Sequence, residues 1–435
     1  MADPTGRLPS AGRLDRRLGL PGAVVVGIGS MVGAGVFTAL GLAAAHAGSL
    51  LLLSVVLAGI TAWINATSTA QLAAVHPASG GAYVFGRRQL GAWAGFIAGW
   101  GFVTGKSASI AAMAYTLALY VVPGTDWTAR WVAIGAVVLL TGVALLGVTR
   151  TVQATVAIVV PVLAILATVI MAALIAPDDG PAGPPTGSPA DSLGSLPDAT
   201  PAGVLQAAGL LFFAFAGYAR IATMGEEVRD PRRTIPRAIF GALGFTLVLY
   251  VIVAVALQRV LGVETLAASA APVREAVGIL FGPGWIWLAV LGAALACTGS
   301  MLNLVAGISR TGLAMARDGD LPRGLSAVSH RTSVPWVAQL TAGVVVIILL
   351  LTTDVLTVVG FSSFGVLVYY AISNLAAFTL TERVVPGPRW LNLTGVVACL
   401  ALAFTLPWAS VLVMVAVFAV GVAGRLVVLM VRPAD

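Results

Sequence analysis

Gly27-Ile28-Gly29-Ser30-Met31-Val32-Gly33-Ala34-Gly35-Val36-Phe37 lies inside the first long apolar run of the chain. Runs of this kind, about 20 residues long, read as membrane helices. Four glycines in nine residues make a poor continuous helix, since each costs about 1 kcal/mol against alanine. In lipid, unwound backbone survives only where protein or a water-lined cavity satisfies its polar groups. A break at Gly33-Ala34-Gly35 leaves two half-helices. The outer half offers free N–H groups and the positive end of a dipole at mid-membrane, which suits a carboxylate. The inner half offers free carbonyls, which suit an ammonium group. Within this run alone a second reading stays open: small residues also let two membrane helices pack closely.

The surrounding sequence fixes the class. Of 435 residues, 59% are apolar and 9% charged, whereas a soluble domain carries about 25% charged residues. That argues against a soluble enzyme, a disordered chain and a nucleic-acid binder. The net charge of +7 resides in short basic clusters between apolar runs, a membrane pattern. Cys297 and Cys399 sit in apolar runs, and His46, His76 and His330 lie far apart. No disulfide framework, metal motif or cofactor is expected.

Twelve spans are predicted, at 21–46, 48–74, 91–121, 131–148, 152–176, 203–226, 237–258, 284–316, 334–352, 355–380, 390–406 and 409–430. The first is too long, and too closely followed by a second, for a cleaved signal peptide. With the N-terminus inside, 19 of the 24 basic residues fall on the inner side and three, Arg130, Arg259 and Arg274, on the outer. Lys106 and Arg220 remain within spans. This asymmetry predicts a multi-pass plasma-membrane protein with both termini cytoplasmic. The expected organisation is a tail at 1–20, five spans over 21–176, a Pro/Gly/Asp-rich outer linker at 177–202, five more over 203–381, and two accessory spans over 390–430. The last two read as packing or oligomer surface.

Span six opens the second block and contains Leu211-Phe212-Phe213-Ala214-Phe215-Ala216-Gly217-Tyr218-Ala219-Arg220. Matching interruptions in two halves of a chain point to a transporter site.

At this point three motifs become recognisable: Gly33-Ala34-Gly35-Val36-Phe37, His76-Pro77-Ala78-Ser79-Gly80-Gly81-Ala82-Tyr83, and Phe213-Ala214-Phe215-Ala216-Gly217 followed by Glu226-Glu227-Val228-Arg229-Asp230-Pro231 through Ile239. Ser309-Arg310 and Ala316-Arg317-Asp318-Gly319 add to them. In order and spacing the chain resembles the amino acid–polyamine–organocation transporters over about residues 20 to 385. The resemblance implies an all-α integral-membrane protein of the leucine-transporter type, with two inverted five-helix repeats plus two C-terminal helices. It also implies amino-acid substrates moved by alternating access. Carried over by position, amides near Ala34 and Gly35 would hold the substrate carboxylate, and carbonyls near Met31 and Phe213 its amine. Phe213 would form a lid. Ser30, Gly33, Ser107, Ile110, Phe215, Ala216 and Gly217 would complete the pocket. Two departures stand out. Ala219 replaces an acidic residue some members carry, and Gln153 through Pro161 lacks the span-five lysine of some proton-coupled members.

Lys106 is the only lysine and lies at the midpoint of the predicted span 91–121. A charge there costs about 2.5–3.5 kcal/mol on insertion scales and marks function by default. It would donate to carbonyls of a broken helix and carry the coupling proton, or it would lock two helices together. Arg220 keeps its charge; it serves the pocket, an inner gate, or a reach toward the interface. Glu226 and Glu227, beside Arg229, Arg232 and Arg233, read as cap and gate. Thr298 or Ser300 could join the carbonyls of Gly29 and Val32 in a cation site, although hydroxyls also bond their own helix. With no acid at the middle of a span, neutral amino acids are the expected substrates, with cationic ones or polyamines as runner-up. An integral-membrane enzyme would need a nucleophile with a base, paired carboxylates or a metal cluster, and none is visible within the spans. A non-transporting amino-acid sensor remains the alternative of another class.

Overall fold

Each of the twelve predicted spans has a helix. The computed structural model describes residues 18–77, 80–122, 127–147, 152–176, 200–224, 228–329, 331–332 and 334–431. Its α-helices are α1 (Leu20–Met31), α2 (Leu40–Ala47), α3 (Leu51–Val75), α4 (Ala82–Leu90), α5 (Ala92–Val121), α6 (Trp127–Leu145), α7 (Val152–Ile175) and α8 (Pro201–Phe215). There follow α9 (Ala219–Ala222), α10 (Pro231–Ala268), α11 (Pro272–Phe281), α12 (Ile286–Arg317), α13 (Trp336–Thr352), α14 (Val355–Thr379), α15 (Trp390–Thr405) and α16 (Trp408–Val431). Among the described residues the only β-type pairing is a single bridge, Leu18 with Val228.

Eight helical stretches are long and apolar enough to cross a bilayer; one, Leu20–Val75, contains both of the first two spans, and α13 and α15 are shorter apolar helices. The twelfth, α5, is diluted by Lys106, serines and glycines, all of them buried. It can tolerate them because α12 and α14 clothe it instead of lipid. Its crossing with α14 brings backbones together: a Cβ on Gly365 would meet the Gly101 carbonyl at 2.7 Å and Gly105 Cα at 2.8 Å. This close approach, of the kind small residues permit, fixes Lys106 at the centre of the molecule.

Several boundaries differ from expectation. Span six is two helices, α8 and α9, joined by a 3-10 turn over Ala216–Tyr218. α10 starts at Pro231 and runs past the predicted end, kinked at Gly262 with φ 72°. Two short helices, α4 and α11, were not anticipated, because runs of about 20 apolar residues do not reveal brief amphipathic segments.

The last two helices carry more than an apolar surface. On α16, Arg425 is buried and ion-pairs with Asp320 at 2.9 Å. Its Nη1 donates to the Ala92 carbonyl at 2.7 Å, and the guanidinium lies over the Trp93 ring, 4.4 Å from its centroid. Asp320 also pairs with Arg87 of α4 at 2.9 Å and accepts from Tyr83 Oη at 3.0 Å. One carboxylate thus ties α4, the end of α12 and α16 together. On α15, Asn392 and Cys399 are buried in a polar cluster with α3 and α14.

Candidate functional site

The two interrupted spans meet at their interruptions. α1 ends at Met31, and Val32 turns extended, with ψ 96°. After Gly33, Ala34 caps a π-helical turn, Gly35–Ala39, that runs into α2. The unwound stretch is therefore Val32–Gly33, one residue earlier than Gly33-Ala34-Gly35. Gly35 is already helical. Its missing side chain serves close packing, since a Cβ there would lie 2.8 Å from the Ala214 backbone. Gly217 plays the reciprocal part, because a Cβ on it would strike the Ser30 carbonyl. A third helix fastens the junction: Tyr250 Oη of α10 donates to the Met31 carbonyl at 2.8 Å and to the Ala214 carbonyl at 3.2 Å.

Between the breaks lies a small cavity lined by Ser30, Met31, Gly35, Lys106, Ser109, Met113, Phe213, Ala214, Gly217 and Leu304. Its volume of about 10 Å³ holds one water-sized molecule. Six expected residues thus gather there: Ser30, Met31, Gly35, Lys106, Phe213 and Gly217. Gly33 faces Ser300 and Met113 at its edge. Ala34 gives the half-helix no side-chain cap, so its first amides look to another acceptor.

Other expected residues point elsewhere. Ser107 bonds the Val103 carbonyl of its own helix at 2.8 Å, and Ile110 is buried outside the cavity lining. Phe215 packs on Tyr250, ring centroids 5.1 Å apart. On α5 the cavity lining is rotated by one residue from the expected set. Lys106, Ser109 and Met113 follow the i, i+3, i+7 spacing of one helix face, whereas Ser107 and Ile110 belong to the next. That spacing was available in the sequence. Tyr250, Ala214 and Leu304 left no comparable signal, since their place depends on how distant spans cross.

The carbonyls assigned to the substrate amine are already engaged. Met31 accepts from Tyr250, and Phe213 accepts from the Ala216 amide. A carbonyl has two lone pairs, so each keeps one acceptor position. The side chain of Ala216 is not in the lining, yet its carbonyl accepts from Lys106 Nζ at 3.4 Å and from Tyr370 Oη at 3.3 Å. Lys106 is buried and has no carboxylate partner among the described residues.

Ser300 Oγ donates to the Gly29 carbonyl at 3.0 Å and to the Val32 carbonyl at 3.5 Å. Thr298 does not share that position. Two residues along an α-helix turn the side chain by about 200°, and Thr298 is half-buried on another face. Arg220 sits one turn beyond Gly217, partly buried, with Nη1 on Thr223 Oγ1 at 3.2 Å. Glu226 and Glu227 lie outside the described residues.

Comparison with known proteins gives the family of the chain. The family profile described as amino acid permease matches residues 18–431. An uncharacterized transporter of Mycobacterium tuberculosis is 52% identical over 411 residues, covering 94% of this chain and 90% of the relative. The branched-chain amino acid permease BcaP of Bacillus subtilis is 27% identical, covering 92% of this chain and 90% of its own. A cationic amino acid transporter of Arabidopsis thaliana, named as mitochondrial, is 29% identical over 86% of this chain and 64% of its own. The chain belongs to the amino acid permease family, multi-pass membrane proteins that are transporters rather than enzymes.

Proposed function

We propose that this permease moves neutral, small to medium amino acids across the plasma membrane by proton-coupled alternating access, with both termini cytoplasmic. The two five-span blocks, 21–176 and 203–381, would form inverted repeats around the breaks, with 177–202 as the outer linker. The observation that carries the reading is the composition of the cavity: an ammonium group, two hydroxyls, backbone at two helix interruptions, and the apolar Met31, Met113, Phe213 and Leu304. Among the described residues no carboxylate lines it. A cationic side chain would meet Lys106 without a counter-charge, while an aliphatic one would meet apolar surface. The amides after Ala34 suit the substrate carboxylate, and the Ala216 carbonyl, held by Lys106, lies where a proton taken up or lost changes the bonding at the second break.

The cavity is too small for an amino acid as it stands. Binding therefore requires the spans around it to separate, which is what alternating access provides. The cationic and branched-chain relatives frame the two substrate readings, and competition distinguishes them. In proteoliposomes with an imposed pH gradient and no sodium, labelled alanine, serine or leucine should accumulate, and each should compete better than arginine or a polyamine. Stronger competition by arginine would reverse the order. Ligand-induced stabilisation without any uptake would make the protein a sensor.

A further inference from the structure

Far from the breaks, α6 and α13 touch at two points and part between them. Near one point a Cβ on Gly343 of α13 would meet Thr141 Oγ1 of α6 at 3.2 Å. At the other, just past the end of α6, a Cβ on Gly147 would meet the Thr332 carbonyl at 3.1 Å. From Thr141 to Gly147 is about 9 Å of chain at helical rise. The gap between the contacts is a cavity of about 390 Å³ lined by Leu145, Val328, Ser329, Thr332 and Trp336. We propose that this gap binds an anionic glycerophospholipid, whose phosphate pairs with Arg331 while one acyl chain lies along Trp336 and Leu145. The inference needs only that α6 and α13 stand in a bilayer, and it is independent of substrate and coupling.

The gap has a layered chemistry that matches such a lipid. Its wall toward the end of the membrane is the turn before α13, held by the Ser329 amide donating to the Val334 carbonyl at 2.9 Å and the Thr332 amide donating to Ser329 Oγ at 3.4 Å. That turn supplies two hydroxyl residues to the lining and carries Arg331 between them. Trp336, exposed at the first position of α13, has the place of an interfacial tryptophan. Leu146 and Leu340 beside it are exposed as well, as lipid-facing residues are.

Charge favours an anion. Arg331 is exposed and has no ion pair among the described residues. The acids of the same inter-span stretch, Asp318 and Asp320, are already committed to Arg87 and Arg425. A phosphate is the missing partner, and a basic pocket between membrane helices is a known kind of lipid site.

A second observation comes from Gln339. It shares the α13 face of Trp336 and Gly343, at spacings of three and seven residues. It is buried to 3% exposure, yet its Oε1 has no hydrogen-bond partner among the described residues. Buried polar atoms left so are rare and costly. Gln339 lies one helical turn, about 4.5 Å, deeper than Trp336, which is the level of a phospholipid's ester linkages when its phosphate is at Arg331. Turned about its last torsion, the amide presents N–H to an ester carbonyl.

The test reconstitutes the full chain in phosphatidylcholine vesicles and titrates in brominated phosphatidylglycerol or, separately, brominated phosphatidylcholine. Bromine quenches tryptophan on contact, and subtracting the response of Trp336→Phe isolates Trp336 from the other nine tryptophans. Half-quenching of Trp336 should need about one-fifth as much of the anionic lipid, the worth of one arginine at a membrane surface. Arg331→Gln, a change at an exposed position that leaves packing intact, should erase the difference. Inorganic phosphate should displace the lipid no better than sodium chloride of equal ionic strength. Equal quenching by the two lipids overturns the site. A preference that survives Arg331→Gln puts lipid selection elsewhere and overturns it too. Specific displacement by phosphate would make Arg331 an aqueous anion site and overturn the lipid as its occupant.

Discussion

The two breaks lie against each other but are built differently. In the first, the backbone leaves the helix altogether at Val32–Gly33 and resumes in a π-turn with no side-chain cap. In the second the chain never leaves helical space; it tightens into one 3-10 turn at Ala216–Tyr218. The first therefore exposes amides, the currency of carboxylate binding. The second exposes one carbonyl, already held from two sides by Lys106 and Tyr370. Under the function proposed above this is a division of labour: the first break would grip the constant part of a substrate, and the second would register a proton.

Substitutions can break that comparison. The largest effect is expected from Gly217→Ala. A methyl group there drives the Ser30 carbonyl off the second break, at about 1–3 kcal/mol of overpacking. Thermal unfolding should show the loss, and ligand-induced stabilisation should vanish. Wild-type binding would mean that the breaks need not touch. Next comes Lys106→Ala, which should abolish gradient-driven accumulation while sparing exchange. Lys106→Arg should fix the charge and halt the cycle, because arginine does not release its proton. Measured uptake with and without the gradient separates the two.

A smaller effect is expected for Tyr250→Phe. It removes the hydroxyl that bridges Met31 and Ala214, at about 1 kcal/mol, so affinity for a neutral substrate should fall about fivefold in a binding titration. An unchanged affinity would show that the first break holds its shape without the bridge. Smallest is Ser300→Ala, which frees the Gly29 and Val32 carbonyls. Stability should drop by about 1 kcal/mol, with uptake still indifferent to sodium. Uptake that became sodium-dependent would turn those carbonyls into a cation site and undo the division of labour.

The breaks were legible because glycine spacing inside an apolar run has few other meanings in lipid. Their depth was legible too, since Lys106 marks the middle of its helix. On α5 the sequence points to Ser107 and Ile110, whereas the cavity is lined one residue round the helix, by Ser109 and Met113. Gly35 lines the cavity as expected and in addition packs against α8, a contact the sequence does not show. Arg425 illustrates the remaining limit. In sequence it is one more basic residue at the end of a span; its burial depends on Asp320 and Trp93, which come from parts of the chain far removed from it. Pairings between distant spans leave no local periodicity to read.

That buried arginine also orders the birth of the protein. α16 is made after the groups Arg425 meets: the Ala92 carbonyl, Trp93, and Asp320 all precede it in the chain. Until it arrives, Asp320 holds its charge with Arg87 and Tyr83 alone. Docking of α16 thus completes the neutralisation of Asp320, and a chain halted short of residue 425 should leave that carboxylate half-paired, a defect that membrane proteases can recognise.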